Sequence, residues 1–363
     1  MSMDRPVRGI AWLLGLAVLV AGTWTGGSCR KAEPQRRWAW QTGGLAQILA
    51  AARAQDAAAL VEVYAAWCPT CHQLEHDVFD ENARRLPADR LVGGRIDFDT
   101  PEGQDLAVRY RVMGLPTTLV LDADGNEKGR ILGYETVDAY LDGLNKALAG
   151  ADETADALAA LAGSPDDPKA NANAGTARLA RGDEADGLRL LQRARELDAG
   201  TKKEVYADAT RTLGRYFFRI RHDYERALVY FQEGAAQAGD ADAAWGFHYW
   251  IAMSLRALGK PDEALAWLQR LVVEHPGAAD PVSIEAEYLY MTGGKDVDAL
   301  ALAQRAAQLK PTDDWNHYLV GVLAEWTNDH ALAVEATRRA VQLAPGKAIY
   351  VHLLERLTCP SSP

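Results

Sequence analysis

Val61-Glu62-Val63-Tyr64-Ala65-Ala66-Trp67-Cys68-Pro69-Thr70-Cys71-His72-Gln73-Leu74-Glu75 passes from an apolar, β-branched run through Cys-Pro-Thr-Cys into residues suited to a helix. That order puts Cys68 at a strand-to-helix junction, where N–H groups are unpaired and the helix dipole is positive. Such a position favours the thiolate, the form that attacks disulfides. Cys68 is therefore the expected nucleophile. Cys71, one turn into the helix, can reach it to close a disulfide.

The chain of 363 residues has room for two or three domains. Its hydrophobic share of 48% and charged share of 25% are ordinary for a globular protein. A formal net charge of −11 argues against nucleic acid as a partner, because phosphate binding needs clustered Lys and Arg. Four cysteines are too few for a disulfide-stapled fold. Cys29 and Cys359 lie near opposite ends, so the chemistry falls to the close pair.

Arg5 and Arg8 precede an apolar run from Ile10 to about Trp24, and Thr25-Gly26-Gly27-Ser28-Cys29 follows. This is the three-part layout of a secretory signal. The run is shorter than the ~20 residues usual for a spanning helix. The small residues before Cys29 resemble a bacterial lipoprotein signal, which implies lipidation of Cys29. Gly26 stands where that signal usually carries Leu. Arg30, Lys31, Arg36 and Arg37 outnumber the basic residues before the run, which for an uncleaved helix favours a cytoplasm-facing chain. The expectation is export: residues 1–29 as signal peptide or membrane/lipoprotein anchor, 30–42 as tether, and the remainder in the cell envelope facing the periplasm.

Between residues 43 and 150 strand and helix patterns alternate. Gly44–Ala54 reads as a helix, Ala59–Ala65 as a buried strand and Pro69–Phe79 as the helix launched by the cysteines. Arg90–Asp97 suggests a strand, Glu102–Tyr110 a helix, and an apolar strand follows Pro116. Asp124-Gly125-Asn126 signals a hairpin, with a returning strand at Lys128–Leu132 and a closing helix at Val137–Leu148. The layout is α/β.

Trp67-Cys68-Pro69-Thr70-Cys71 after one apolar strand, with Gly114-Leu115-Pro116-Thr117 before another, resembles the thioredoxin superfamily. The resemblance implies a cis Pro116 beside the cysteines and an exposed Leu115 backbone on which a substrate can pair as an added strand. Trp67 and Thr117 join that substrate-binding surface. Val63-Tyr64-Ala65-Ala66-Trp67-Cys68, with an acidic residue four after the second cysteine, is similar to the C-terminal periplasmic domain of the DsbD-type reductases. That likeness implies a thiol–disulfide oxidoreductase working in the reductive direction, with no metal or organic cofactor. Disulfide-bearing envelope proteins are the implied substrates, and a membrane thiol-reducing electron donor is the implied partner. Glu62 occupies a strand position where the family usually has a buried Asp. Burial raises a carboxyl pKa, so Glu62 can accept a proton from the resolving thiol. Glu75, at i+4 from Cys71, is expected to share that role. The plainer alternative makes both ordinary solvated carboxylates.

Cys-x-x-Cys-His is also the attachment signature of c-type haem. Haem needs neither a preceding buried strand nor a downstream Gly-Leu-Pro-Thr, whereas thioredoxin chemistry needs both. His72 and His76 are then exposed helix residues. Zinc lacks two further ligands at suitable spacing.

Beyond Gly150 the chain turns Ala-rich and helical. Gly187-Leu188, Ala227-Leu228, Ala264-Leu265, Ala299-Leu300 and Ala333-Val334 recur 40, 37, 35 and 34 residues apart. Pro276, Pro311 and Pro345 each fall twelve residues after the last three anchors. This pattern resembles a tetratricopeptide (TPR) array of paired helices over residues 151–363, with a concave groove for an unknown protein or peptide and Gly346–Leu357 as a cap. Tyr216, Phe217, Phe218, Trp245, Phe247, Tyr249, Trp250, Trp267, Trp315 and Trp326 cluster here, mostly as core between helices, with some lining the groove as peptide-binding anchors. The fold expected is an α/β thioredoxin-like domain followed by an all-α TPR-like solenoid. The function expected is a membrane-anchored disulfide reductase; the alternative is a non-catalytic scaffold that uses the thioredoxin-like part for docking.

Overall fold

The apolar runs around the cysteines build a five-stranded sheet: β1 (Trp40–Gln41), β2 (Ala58–Tyr64), β3 (Leu91–Asp97), β4 (Thr117–Leu121) and β5 (Glu127–Leu132). The chain is seen as a computed structural model that describes residues 38–151, 153–199, 204–238, 242–293 and 296–358. The expected signal, most of the tether, Cys29 and Cys359 lie outside the described residues. No helix among those described is long and apolar enough to cross a membrane.

The strand order is β1-β3-β2-β4-β5, parallel among β1, β3 and β2 and antiparallel from β2 onward. β2 is the central strand, and its five inner residues are all buried. Its alternation sends Val61 and Val63 to one face, where they meet Ile48 of α1 (Leu45–Ala54) and Leu106 of α3 (Pro101–Tyr110). Leu60 faces the other side, with Leu74 of α2 (Pro69–Leu74) and Tyr140 of α4 (Val137–Leu148). Thr100 and Thr136 cap α3 and α4 by accepting N–H bonds from Gly103 and Ala139. In the β4–β5 hairpin Asp122 accepts the N–H groups of Asp124 and Asn126, and Gly125 takes φ +83°.

The cysteine helix is shorter than the sequence indicates. After Leu74 it widens into a π-helical turn over Glu75–Asp80. The wider turn lets the consecutive residues Val78 and Phe79 both enter the core, where Phe79 meets Trp38 and Trp40.

Helices fill the rest: α5 (Glu153–Gly163), α6 (Pro168–Arg181), α7 (Glu184–Asp198), α8 (Glu204–Tyr216), α9 (Tyr224–Ala238) and α10 (Asp242–Ala257), then α11 (Pro261–Glu274), α12 (Ala279–Met291), α13 (Asp296–Leu309), α14 (Asp314–Trp326), α15 (His330–Leu343) and α16 (Ala348–Thr358). Each helix packs on the next, and α6 also meets α8, α10 meets α12 and α12 meets α14, the pattern of a TPR-like solenoid. The anchors Ala227, Ala264, Ala299 and Ala333 are fully buried. Between α6 and α7 the approach is close: a Cβ on Gly175 would lie 2.8 Å from Leu191 Cγ, and one on Gly187 would lie 2.7 Å from Leu179 Cγ.

The solenoid meets the sheet domain at both of its ends. Near its start, Arg130 donates to Ala180 O at 3.4 Å, and further along, after α8, Arg219 donates to Met113 O at 3.1 Å. At its finish, α16 lies against α2, and the Ala348 N–H donates to Gln73 Oε1 at 3.0 Å.

Candidate active site

Cys68 is the N-cap of α2, with Pro69 in the first turn, where its missing N–H costs nothing. The Cys71 N–H donates to Cys68 Sγ at 3.2 Å, so the first sulfur sits where a helix offers its unpaired donors. Cys68 and Cys71 are joined as a disulfide, with Cα atoms 5.3 Å apart. Trp67 is fixed beside them by its Nε1–H, which donates to Asp99 Oδ2 at 2.6 Å. Burial raises the Asp99 carboxyl pKa, and the Trp67 bond opposes that rise.

The Leu115–Pro116 bond is cis. Pro116 and Thr117 are buried, and the Thr117 hydroxyl donates to Gly114 O at 2.8 Å. Leu115 stays partly exposed and packs on the same core cluster as both cysteines. The structure thus brings Trp67, Cys68, Cys71 and Leu115 to one place.

Glu62 is fully buried, on the β2 face that carries Leu60 and Tyr64. It has a cationic partner that the sequence gives no sign of: Arg95 Nε lies 2.9 Å from Glu62 Oε2. Burial pushes the Glu62 carboxyl up to about 7; Arg95 pulls it down and the charge of Glu75 pushes it further up. Arg95 also donates to Glu75 Oε1 at 2.7 Å and lies 4.0 Å from the centre of the Tyr64 ring. Glu75 is therefore tied to Arg95, and it opens the π-helical turn instead of extending a regular helical face from Cys71. The two carboxylates share one guanidinium. Arg95 was invisible as a partner because its pairing depends on the β2–β3 register, which sets Glu62 opposite Arg95.

His72 and His76 are half-buried, not exposed as the sequence suggests. A ring nitrogen of His72 lies 2.8 Å from Ala66 O, and both rings pack against His352 of α16, with centroids 5.9 and 6.0 Å away. The covering surface is supplied by the far end of the chain, so local pattern could not reveal it.

A cavity of about 540 Å³ opens over Cys68. Its floor includes Trp67, Cys68, Phe98, Asp99, Gly114 and Leu115. Its roof comes from α8, the π-helical turn Phe217–Arg221, α10 and α12, through Arg215, Phe218, Arg219, Tyr249, Trp250 and Glu287. Cys68 is only 4% exposed, so its sulfur is approached from this cavity. Of the aromatic cluster noted in the sequence, Phe218, Tyr249 and Trp250 line the cavity, while Tyr216, Phe217 and Phe247 are core.

Residues 45–148 match the family model described as a thioredoxin-like domain. This part of the chain is a thioredoxin-like domain. The chain is 32% identical over 144 residues to the thiol:disulfide interchange protein DsbD of Yersinia enterocolitica, covering 37% of this chain and 25% of that protein. It is 35% identical over 97 residues to the DsbD of Pseudomonas fluorescens, covering 26% of this chain and 17% of that one. The chain thus spans about a quarter or less of the length of these curated relatives. Among solved structures it is similar to YrrB, titled a TPR protein with an unusual peptide-binding site, at 20% identity and a TM-score of 0.30, over 54% of this chain and 96% of that one. Beside the thioredoxin-like domain, the repeats supply the roof of the cavity that its cysteines open into.

Proposed function

We propose that the chain is an exported, membrane-anchored thiol–disulfide oxidoreductase that reduces disulfides of envelope proteins, with the repeats presenting the substrate. The observation that supports this most is the placement of Cys68 Sγ, which accepts the Cys71 N–H at a helix start and opens into a cavity roofed by the repeats. A thiolate there is favoured by the donors around it. In the reduced protein, the Cys68 thiolate attacks a substrate disulfide, forms a mixed disulfide and expels one substrate thiolate. Cys71 then gives up its proton, attacks Cys68 Sγ and expels the second substrate thiolate, leaving the Cys68–Cys71 disulfide. Two electrons pass to the substrate, and a membrane-bound dithiol donor restores the pair.

Glu62 takes the proton of Cys71, and Glu75 adjusts Glu62 through Arg95. Trp67, Leu115, Pro116 and Thr117 form the edge on which the substrate backbone lies. The export signal and the DsbD relatives support an envelope location, with Cys29 as the lipid attachment point. Trapping tests the reading: Cys71→Ala in the full chain should accumulate mixed disulfides on Cys68, identified by mass spectrometry, and Cys68→Ser should abolish them. Full rescue of a deletion strain by Cys68→Ser would instead make the chain a scaffold.

A further inference from the structure

The cavity roof carries two arginines for which disulfide exchange has no use. Arg215 belongs to α8, and Arg219 to the π-helical turn that continues it; both line the cavity that Cys68 lines. Arg219 packs 4.8 Å from the Phe98 ring centre and 5.2 Å from that of Trp250, with one N–H on Met113 O. Arg215 stands 5.5 Å over Trp250, and its buried Nε has no hydrogen-bond partner among the described residues. Neither makes an ion pair with a described carboxylate.

The acidic groups around them attract both guanidinium groups without touching them. Asp99 acts on Arg219 and Asp208 on Arg215 only through space, outside ion-pair distance, and burial pushes the Glu287 carboxyl up to about 7, so much of it is neutral at neutral pH. Burial also pulls Arg215 down to about 10 and Arg219 down to about 9. A guanidinium kept from water and lacking a contacting anion gains from one that supplies charge-assisted hydrogen bonds. A cavity of this size suits a small ligand or a short chain segment more than a folded surface.

We propose that the cavity selects disulfides bearing a carboxylate close to their sulfur, the carboxylate pairing with Arg215 while the sulfur meets Cys68. The inference rests on the redox reading above and names its substrate class. The carboxylate belongs either to an acidic residue beside a cysteine in an extended segment or to a small acidic thiol; the recognition chemistry is the same.

Calorimetric titration of the oxidised full chain with unreactive thioethers tests this. The probes are a short peptide of S-methylcysteine flanked by Glu, its Gln counterpart, and S-methylglutathione beside its diamide. The acidic member of at least one pair should bind about tenfold or more tightly than its neutral partner, the scale of a charge-assisted hydrogen bond. The peptide pair reports a protein segment and the glutathione pair a small thiol. Arg215→Gln should erase the difference and Arg215→Lys should keep most of it. Equal affinities within both pairs on the native chain would overturn the proposal, as would a preference that persists in a folded Arg215→Gln. Turnover of a neutral disulfide by the reduced chain is scored separately, so loss of the redox reading is distinguishable from loss of the charge preference.

Discussion

Glu62 and Arg95 face each other across the parallel pairing of β2 and β3, and their charged ends meet at 2.9 Å beneath the sheet's helical cover. The pair leaves the carboxyl pushed up to about 7, because burial outweighs the guanidinium. Below that pH the group is mostly protonated and cannot accept a proton. Resolution of the mixed disulfide by Cys71 should therefore quicken as pH rises through about 7. Glu62→Gln should remove the inflection and slow resolution by about a hundredfold, the lower range of general-base catalysis. Stopped-flow measurement of the second exchange step across pH checks both.

Stability carries the same signature with its own sign. A carboxyl whose folded pKa lies above its unfolded value binds more protons when folded, so its contribution is present at low pH and lost as pH rises through about 7. Glu62→Gln should flatten that loss. Denaturant melts of the native chain and the variant at pH 5 and pH 8 provide the comparison.

Arg95 offers an opposite handle. Its charge lowers the Glu62 pKa, so Arg95→Gln should move the inflection in the exchange rate to higher pH. Glu75→Gln should move it to lower pH, since the charge of Glu75 raises the Glu62 pKa and the variant leaves Arg95 to Glu62 alone. Opposite displacements in the two variants are the expected result.

The His352 imidazole is half-buried between His72 and His76, with Glu75 and Glu355 also near. Burial first, and then its two histidine neighbours, hold its pKa below the ordinary 6.5. Protonation is then easier with α16 undocked, so docking is full above about 6.5 and weakens as pH falls below it. Hydrogen exchange over residues 348–358 should accelerate on acidification beyond the chemical pH effect, and His352→Gln should suppress that excess.

Gly175→Ala adds a methyl where Leu191 N lies 2.9 Å and Gly187 O 3.0 Å from the new carbon. Backbone atoms cannot step aside as side chains do, so α6 and α7 must separate. The expected loss is about 1–3 kcal/mol by overpacking, offset in part by the better helix propensity of alanine. Chemical denaturation measures it.

The cysteine junction, the strands around it and the helix-pair spacing were readable because each is a local pattern: alternation, a turn dipeptide, or a small residue returning at a fixed interval. Cys68 and Leu115 were placed together by two motifs joined through a resemblance. Arg95 was not readable, since only strand register sets it against Glu62. Nor were Arg215 and His352, whose meaning depends on how the helices α5 to α16 curve back over a sheet that begins far earlier in the chain. The π-helical turn at Glu75 likewise leaves no periodic trace over so short a stretch.

Arg130 on Ala180 O near its start and the Ala348 N–H on Gln73 at its finish join the superhelix to the sheet domain at two separated points. An arc pinned at both tips resists widening as a bow resists drawing. Any guest larger than the space above Cys68 must flex every intervening helix interface or release one tip. On the proposed substrate reading, the elasticity of the repeats, remote from the sulfurs, would then limit guest girth. Cutting the chain before Ala348 should turn a calibrated jaw into an open hook.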